Sequence, residues 1–259
     1  MELVIKEFKD SIAVLTLNHS AKLNALSSEL IQAFRDALCD FRHHNARVVI
    51  LRAAEGSRTW SAGHDVHELP KGDRDPLGWD DPLRILVREI EEYPIPIIAM
   101  IEGGVWGGSC EVVMACDLIF AAPEATFAFT PAKLGVPYNV TGVLNLMTMI
   151  DMPILKEMVF TAEPLTAERA FSLGIINHVV SSEQLFDFTM EKAATIAANS
   201  PLSISVFKEQ LRILADAMPV TPDVFERIQE MRRIVYSSKD YKEGLQAFYD
   251  KRKPRFKGC

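Results

Sequence analysis

Two histidines and two acidic residues crowd into the segment AGHDVHE at positions 62–68. His64, Asp65, His67 and Glu68 all carry side chains that bind metals or transfer protons. Zinc sites on helices favour histidines four positions apart, whereas these two are three apart and follow a glycine. No further group of ligands lies nearby in the sequence. The spacing disfavours a metal site, and no metal is expected.

Other reactive motifs are missing from the sequence. Ser109 lies in GGSCE, which lacks the glycine pattern of the G-x-S-x-G nucleophile elbow. No G-x-G-x-x-G follows a predicted strand, and no P-loop occurs. The sequence therefore supports neither a serine nucleophile nor a nucleotide cofactor.

Two glycine-containing loops remain as candidates, and both would act through the main chain. SAGHD (61–65) follows a predicted strand, and EGGVWGGSCE (102–111) carries four glycines ahead of a helical pattern. Glycine lets the backbone approach a ligand closely, and a helix N-terminus offers unpaired N–H groups. One N–H from each loop could hold an anionic oxygen. Tight turns with close strand–helix packing explain the same glycines equally well.

The elements that must position these loops alternate between strands and helices. Short apolar or β-branched runs predict strands at 11–18, 47–53, 95–103, 117–122 and 126–130. Apolar residues at helical spacing predict a helix over 30–41, with Ser27 or Ser28 as N-cap, and a second helical pattern covers 107–116. This alternation predicts an α/β fold with a largely parallel sheet.

The C-terminal part of the chain is predicted to be helical. Ser181-Ser182-Glu183-Gln184 is a capping-box pattern before a helix that reaches about Asn199. Pro201 begins another helix, Thr221-Pro222 supplies the start of a third, and a last helix covers about 240–250.

Composition limits the classes of partner. The 259 residues are 48% apolar and 24% charged, with a formal net charge of −7, which argues against a nucleic-acid-binding protein. Cys39, Cys110, Cys116 and Cys259 are scattered and do not form a disulfide framework. No segment has the pattern of a signal peptide or a membrane span, so a cytoplasmic protein without membrane partners is expected.

Several motifs together resemble the crotonase (enoyl-CoA hydratase/isomerase) superfamily. Those motifs are KLNAL (22–26), SAGHD (61–65), GGVWGGSCEVVMACDLIFAA (103–122), LGVP (134–137) and AERAFSLGIINHVV (167–180). The resemblance covers essentially the whole chain. It implies a spiral of ββα units over residues 1–195, followed by a helical oligomerisation region over 196–259 that builds homotrimers or dimers of trimers.

The resemblance also implies a ligand and a site. The ligand is a coenzyme A thioester, so coenzyme A belongs to the substrate and no separate cofactor is expected. The thioester oxygen is held by the main-chain N–H groups of His64 and Gly108. The remaining residues that the motif match places beside the substrate are Lys22, Leu23, Ala62, Gly63, Asp65, Val66 and Gly107.

The reaction is less typical of the family. Glu111 matches the first glutamate of the family's hydratases, but TPAKLG (130–135) places Pro131 where a gapless match puts the second. This departure counts against hydration.

Further segments resemble the branch of the family that decarboxylates methylmalonyl-CoA to propionyl-CoA. They are Ser61–Asp65, His67–Pro70, Asp81–Leu83, Val105–Gly108, Thr130–Pro131, Leu134–Asn139, Phe225–Gln229 and Met231–Tyr236.

Decarboxylation of a malonyl thioester needs an oxyanion hole and an oriented carboxylate, but no base. Tyr138 is expected to orient that carboxylate, with help from Thr130. Two alternatives stay open at this point, an isomerase or hydratase that uses Glu111 and a silent acyl-CoA-binding module.

Overall fold

The computed structural model describes residues 2–69, 78–215 and 221–257, so Pro70 and Cys259 lie outside the described residues. Ten strands occur in the described part of the chain. In order they are β1 (Val4–Lys9), β2 (Ile12–Leu17), β3 (Val48–Ala53), β4 (Thr59–Ser61), β5 (Ile97–Ile101), β6 (Gly104–Trp106), β7 (Leu118–Ala121), β8 (Thr126–Ala128), β9 (Leu165–Thr166) and β10 (His178–Val179).

Ten α-helices occur in the same described ranges. In order they are α1 (Ser28–His43), α2 (Pro82–Glu91), α3 (Gly108–Met114), α4 (Val140–Met149), α5 (Met152–Thr161), α6 (Ala167–Ser172), α7 (Ser182–Ala198), α8 (Pro201–Ala215), α9 (Pro222–Ser237) and α10 (Lys239–Tyr249). Within these ranges, no helix combines the length and the apolar character needed to cross a bilayer.

The larger sheet forms the centre of the molecule. Its six strands run in the order β1-β2-β3-β5-β7-β10, and only the β1–β2 pair is antiparallel. Helix α1 covers one face with Leu30, Phe34 and Leu38, while α7 packs on the other face against Ile50 and Ile98. Both faces are thus buried, which explains the nearly continuous apolar sequences of the central strands.

The smaller sheet positions the two glycine-containing loops. It has the order β4-β6-β8-β9, and β4, β6 and β8 are parallel neighbours. Because parallel strands end at the same edge of a sheet, the segments that follow Ser61 and Trp106 emerge side by side. Loop 62–65 therefore lies next to the start of α3.

The predicted elements agree well with the structure. The five predicted strands correspond to β2, β3, β5, β7 and β8, and the predicted largely parallel α/β architecture is confirmed. Ser27 is the N-cap of α1, and its hydroxyl accepts a hydrogen bond from the Leu30 N–H at 3.2 Å. The division of the chain at residue 195 stays a prediction.

Two predicted helix starts have the right position but not the expected bonds. Ser181 precedes α7 and Thr221 precedes α9, yet neither side chain accepts a capping hydrogen bond. The hydroxyl of Thr221 donates instead to Asp223 Oδ1 at 2.6 Å. The capping-box expectation is therefore wrong in its hydrogen bonds.

Candidate active site

The main-chain N–H of His64 is oriented by pairing of the neighbouring residues. Leu26 N–H donates to Gly63 O at 2.8 Å, and Asp65 N–H donates to Leu26 O at 3.3 Å. In this parallel bridge the N–H of the intervening His64 points away from Leu26. No described residue accepts a hydrogen bond from it.

The main-chain N–H of Gly108 lies close by and is also unpaired. Gly108 is the first residue of α3, where no intrahelical acceptor exists. A Cβ built on Gly63 would lie 2.9 Å from Gly108 N, and a Cβ built on Gly108 would lie 3.4 Å from His64 N. Both residues line the same pocket. The structure thus brings together the two predicted oxyanion donors.

Buried hydroxyl and amide groups fix the loops that carry these donors. Ser109 Oγ accepts from Trp106 N–H at 2.9 Å and lies 3.1 Å from Ser61 O, so it joins the two loops. Asn24 is fully buried, and its amide donates to Trp60 O at 2.9 Å while its oxygen accepts from His19 N–H at 2.8 Å. The hydrogen bonds of Ser109 and Asn24 therefore hold the two loops in place.

The side chain of His64 is engaged with two polar partners. Its Nε2 lies 3.4 Å from Asp81 Oδ2, and its Nδ1 lies 3.1 Å from Asp65 O. Burial lowers the pKa of His64, but the hydrogen bond and charge of Asp81 outweigh burial and raise the pKa above its ordinary value.

The other polar side chains of AGHDVHE have separate structural partners. Asp65 Oδ1 accepts from His67 N–H at 3.0 Å, and the His67 ring packs 5.4 Å from the ring of Tyr249. Glu68 Oε2 accepts from Ser28 N–H at 2.8 Å. Across the described ranges, no group of three histidine, cysteine or acidic side chains is arranged to hold a metal ion.

Most of the predicted site residues line one pocket at the mouth of these loops. They are Ala62, His64, Val66, Gly107, Gly108, Glu111, Thr130, Pro131 and Tyr138.

The other predicted residues lie beside this pocket rather than in its wall. Leu23 O accepts from Ala62 N–H at 2.9 Å, which places Leu23 and the exposed Lys22 next to Ala62 at the rim of the pocket. Gly63 and Asp65 pair with Leu26 behind it.

Glu111 has a partner that the sequence analysis did not find. Its Oε2 forms a buried ion pair with Arg84 Nη1 of α2, and both side chains are only 3% exposed. Burial raises the pKa of Glu111, and the charge of Arg84 opposes that rise. The one signal for Arg84 in the sequence is a basic residue among the apolar positions Leu83, Leu86 and Val87.

Tyr138 reaches the same place from the loop before α4. Its hydroxyl is buried without a hydrogen-bond partner among the described residues, and so is Asn139 Nδ2. Both groups face the Glu111 carboxylate closely enough that hydrogen bonding to it, though not of normal geometry, lowers its pKa. A buried hydroxyl with no protein partner is free to bind a ligand.

Comparison with known proteins agrees with this geometry. The enoyl-CoA hydratase/isomerase family model matches residues 7–259. The chain belongs to the enoyl-CoA hydratase/isomerase family. It is 52% identical to methylmalonyl-CoA decarboxylase of Escherichia coli (strain K12) over 249 residues, which cover 96% of this chain and 95% of that protein.

Solved structures of family members have the same fold. A methylmalonyl-CoA decarboxylase in complex with 2-nitronate-propionyl-CoA superposes with a TM-score of 0.98 at 51% identity, covering 99% of both chains. Another, complexed with 2S-carboxypropyl-CoA, has a TM-score of 0.98 at 50% identity and covers 100% of this chain and 99% of its own. The expected family and fold are thus confirmed.

Proposed function

We propose that this chain decarboxylates methylmalonyl-CoA to propionyl-CoA. The observation that carries the proposal is the pair of unbonded amides, His64 and Gly108, facing a pocket in which Glu111 is already ion-paired. The 52% identity with a methylmalonyl-CoA decarboxylase over nearly the full chain supports the same substrate.

The two amides supply the main stabilisation. The bond between the α-carbon and the carboxylate breaks, its electron pair enters the thioester carbonyl, and CO2 leaves. The negative charge moves onto the thioester oxygen, where the N–H groups of His64 and Gly108 hold it. A proton then adds to the α-carbon and gives propionyl-CoA. Removal of one such donor typically costs about 2.7–4 kcal/mol of transition-state stabilisation.

Tyr138 and Thr130 act on the acyl group. The partnerless Tyr138 hydroxyl donates to the substrate carboxylate and turns it out of the thioester plane, so that the breaking bond overlaps the carbonyl π system. Thr130 Oγ1 lies 3.0 Å from where a Gly107 Cβ would be, beside the oxyanion donors. It is placed to assist Tyr138 there.

The remaining loop residues hold the coenzyme A moiety. Ala62 and Val66 form one wall, with Gly107 and Pro131 also lining the pocket, while Gly63 and Asp65 hold that wall in place through their pairing with Leu26. Lys22 and Leu23 lie at the rim, where Lys22 meets a phosphate as a point charge. Coenzyme A is carried by the substrate, and the mechanism needs no further cofactor.

Isomerisation or hydration with Glu111 as base is the competing function within the family. The ion pair of Glu111 with Arg84 counts against this function, and so does Pro131 at the position expected for a second glutamate. A silent acyl-CoA-binding module is the alternative outside catalysis.

Incubation with methylmalonyl-CoA separates these functions. We expect propionyl-CoA and CO2 in equal amounts. Turnover of an enoyl-CoA without propionyl-CoA formation would replace the proposal by the base-dependent reaction, and binding without any turnover would leave the silent module. The variant Glu111→Gln should lose nearly all activity in a base-dependent enzyme and less than about tenfold in a decarboxylase.

We also propose that the chain forms homotrimers or dimers of trimers in the cytoplasm. Large apolar side chains of α8 are well exposed, among them Leu202, Phe207 and Leu211. Exposed apolar patches of this kind mark interaction surfaces. The free thiols of Cys110 and Cys116 fit a reducing compartment. Sedimentation of the wild type and of Leu211→Glu tests the assembly. If α8 forms the subunit interface, the variant should sediment as a smaller species than the wild type.

A further inference from the structure

Arg84 is a buried charge that the proposed reaction does not use directly. It lies in the first turn of α2, whose other inward residues, including Leu83, Val87 and Ile90, are apolar. A buried guanidinium is costly to desolvate unless it is paired. Among the described residues its side chain pairs with Glu111, which lines the acyl pocket.

Several buried donors surround the ion pair. Tyr138 Oη and Asn139 Nδ2 face the Glu111 carboxylate and lower its pKa, but neither forms a hydrogen bond of normal geometry with a described residue, and Arg84 Nη2 forms none either. Gly142 leaves room for the carboxylate, since a Cβ there would lie 2.7 Å from Glu111 Oε2. The cluster offers more donors than the one carboxylate of Glu111 satisfies, which is expected where a second anionic group binds.

We propose that Arg84 is a positioning residue that sets the charge of the acyl pocket, cancelling Glu111 so that an acyl group with its own carboxylate is accepted. The identity of that acyl group rests on the proposed function. An unpaired Glu111 within about 6 Å of the substrate carboxylate would repel it enough to change affinity roughly tenfold to a hundredfold. Arg84 thereby determines specificity for a malonyl-type thioester.

The other charged and titratable groups around Glu111 do not replace Arg84. Asp81, on the same helix start, raises the pKa of Glu111 instead of balancing its charge, and it is engaged with His64. Cys110 and Tyr138 are neutral, because burial raises the pKa of each well above its ordinary value. Removing Arg84 therefore leaves the carboxylate of Glu111 without a balancing charge on this side of the pocket.

Binding of two coenzyme A derivatives tests the inference. 2-Carboxypropyl-CoA carries a carboxylate but no thioester carbonyl, and propionyl-CoA has an uncharged acyl group. At pH 8 we expect Arg84→Met to raise the Kd of 2-carboxypropyl-CoA at least about tenfold and that of propionyl-CoA less than threefold. The difference should shrink as the pH is lowered, because burial raises the pKa of Glu111 and favours its protonated form. Adding Glu111→Gln to Arg84→Met should restore the first Kd.

Equal weakening of both ligands, or a double variant no better than Arg84→Met, would show that Arg84 only supports the fold. If Arg84→Met does not fold, two other variants carry the test. Arg84→Lys keeps the charge and should change both Kd values less than threefold. Glu111→Gln alone should lower the Kd of 2-carboxypropyl-CoA relative to that of propionyl-CoA. The opposite change would overturn the inference. A wild type that binds but does not decarboxylate would refute the proposed function only.

Discussion

Gly63→Ala should separate the two oxyanion donors without touching a catalytic side chain. Gly63 has a φ of 86°, and an added Cβ would lie 2.3 Å from Trp106 O and 2.9 Å from Gly108 N. Both neighbours are main-chain atoms, so a rotamer change cannot relieve the contact. The loop at 62–65 must move away from the start of α3, and the His64 and Gly108 amides then no longer reach one oxygen.

The expected loss follows from the geometry. Losing one oxyanion donor lowers kcat by about 10²–10³, which corresponds to about 2.7–4 kcal/mol of transition-state stabilisation. The alanine also adopts a left-handed conformation, which costs about 1–2 kcal/mol of folding stability. The kcat of decarboxylation should thus fall by far more than the loss of folding stability from backbone strain explains.

Gly56→Ala is the matched control. Gly56 has a φ of 71°, and a Cβ there would meet nothing within 4 Å. It should lose about 1–2 kcal/mol of stability and keep its kcat. Propionyl-CoA formation under saturating substrate measures kcat, and urea unfolding measures stability.

A Gly63→Ala protein whose kcat stays within threefold of the wild type would refute the reasoning. It would mean that the loop accommodates a Cβ without displacing the amides, or that the amides do not hold the developing charge. A parallel fall of kcat in Gly56→Ala would instead indicate a general effect of lost stability.

Three further substitutions test the site. Tyr138→Phe should lower kcat by about 10²-fold if the hydroxyl orients the carboxylate. Its free energy of unfolding in urea should change by less than about 0.5 kcal/mol, because the hydroxyl forms no hydrogen bond of normal geometry with another described residue. Asp81→Asn keeps a good N-cap for α2 but removes the charge that raises the pKa of His64. A histidine pKa that is raised in the folded state stabilises the fold at pH values below the unfolded-state pKa of about 6.5. The variant should therefore have a lower free energy of unfolding than the wild type at pH 5.5. The difference between the two proteins should narrow as the pH rises through the folded-state pKa of His64. Ser109→Ala should lose about 1–3 kcal/mol of stability, because it leaves the Trp106 N–H unpaired, yet retain turnover that a lost nucleophile would abolish.

The sequence predicts the parts of this site that follow from local pattern. The strand at 48–53, the helix from Ser28 and the glycines before α3 are all recognisable from period and residue type, because burial on a sheet or a helix face dictates them. The resemblance to the family then assigns His64 and Gly108 through their main chain. The side-chain partners of Glu111 and His64 could not be predicted from the sequence, because Arg84 and Asp81 contact them only through tertiary packing.

The start of α2 shows why such partners matter for a reaction carried by backbone amides. Asp81 holds the His64 ring, Leu83 Cδ2 lies 2.6 Å from where a Gly108 Cβ would be, and Arg84 pairs with Glu111. Three side chains near one helix N-terminus therefore support both oxyanion donors and balance the charge beside them. Because every residue except proline carries the same main-chain N–H, side-chain substitutions act on these donors mainly by moving them through such supporting contacts. Changes in the reaction of this fold are consequently expected to arise in supporting residues like Arg84 as readily as in the residues that touch the thioester.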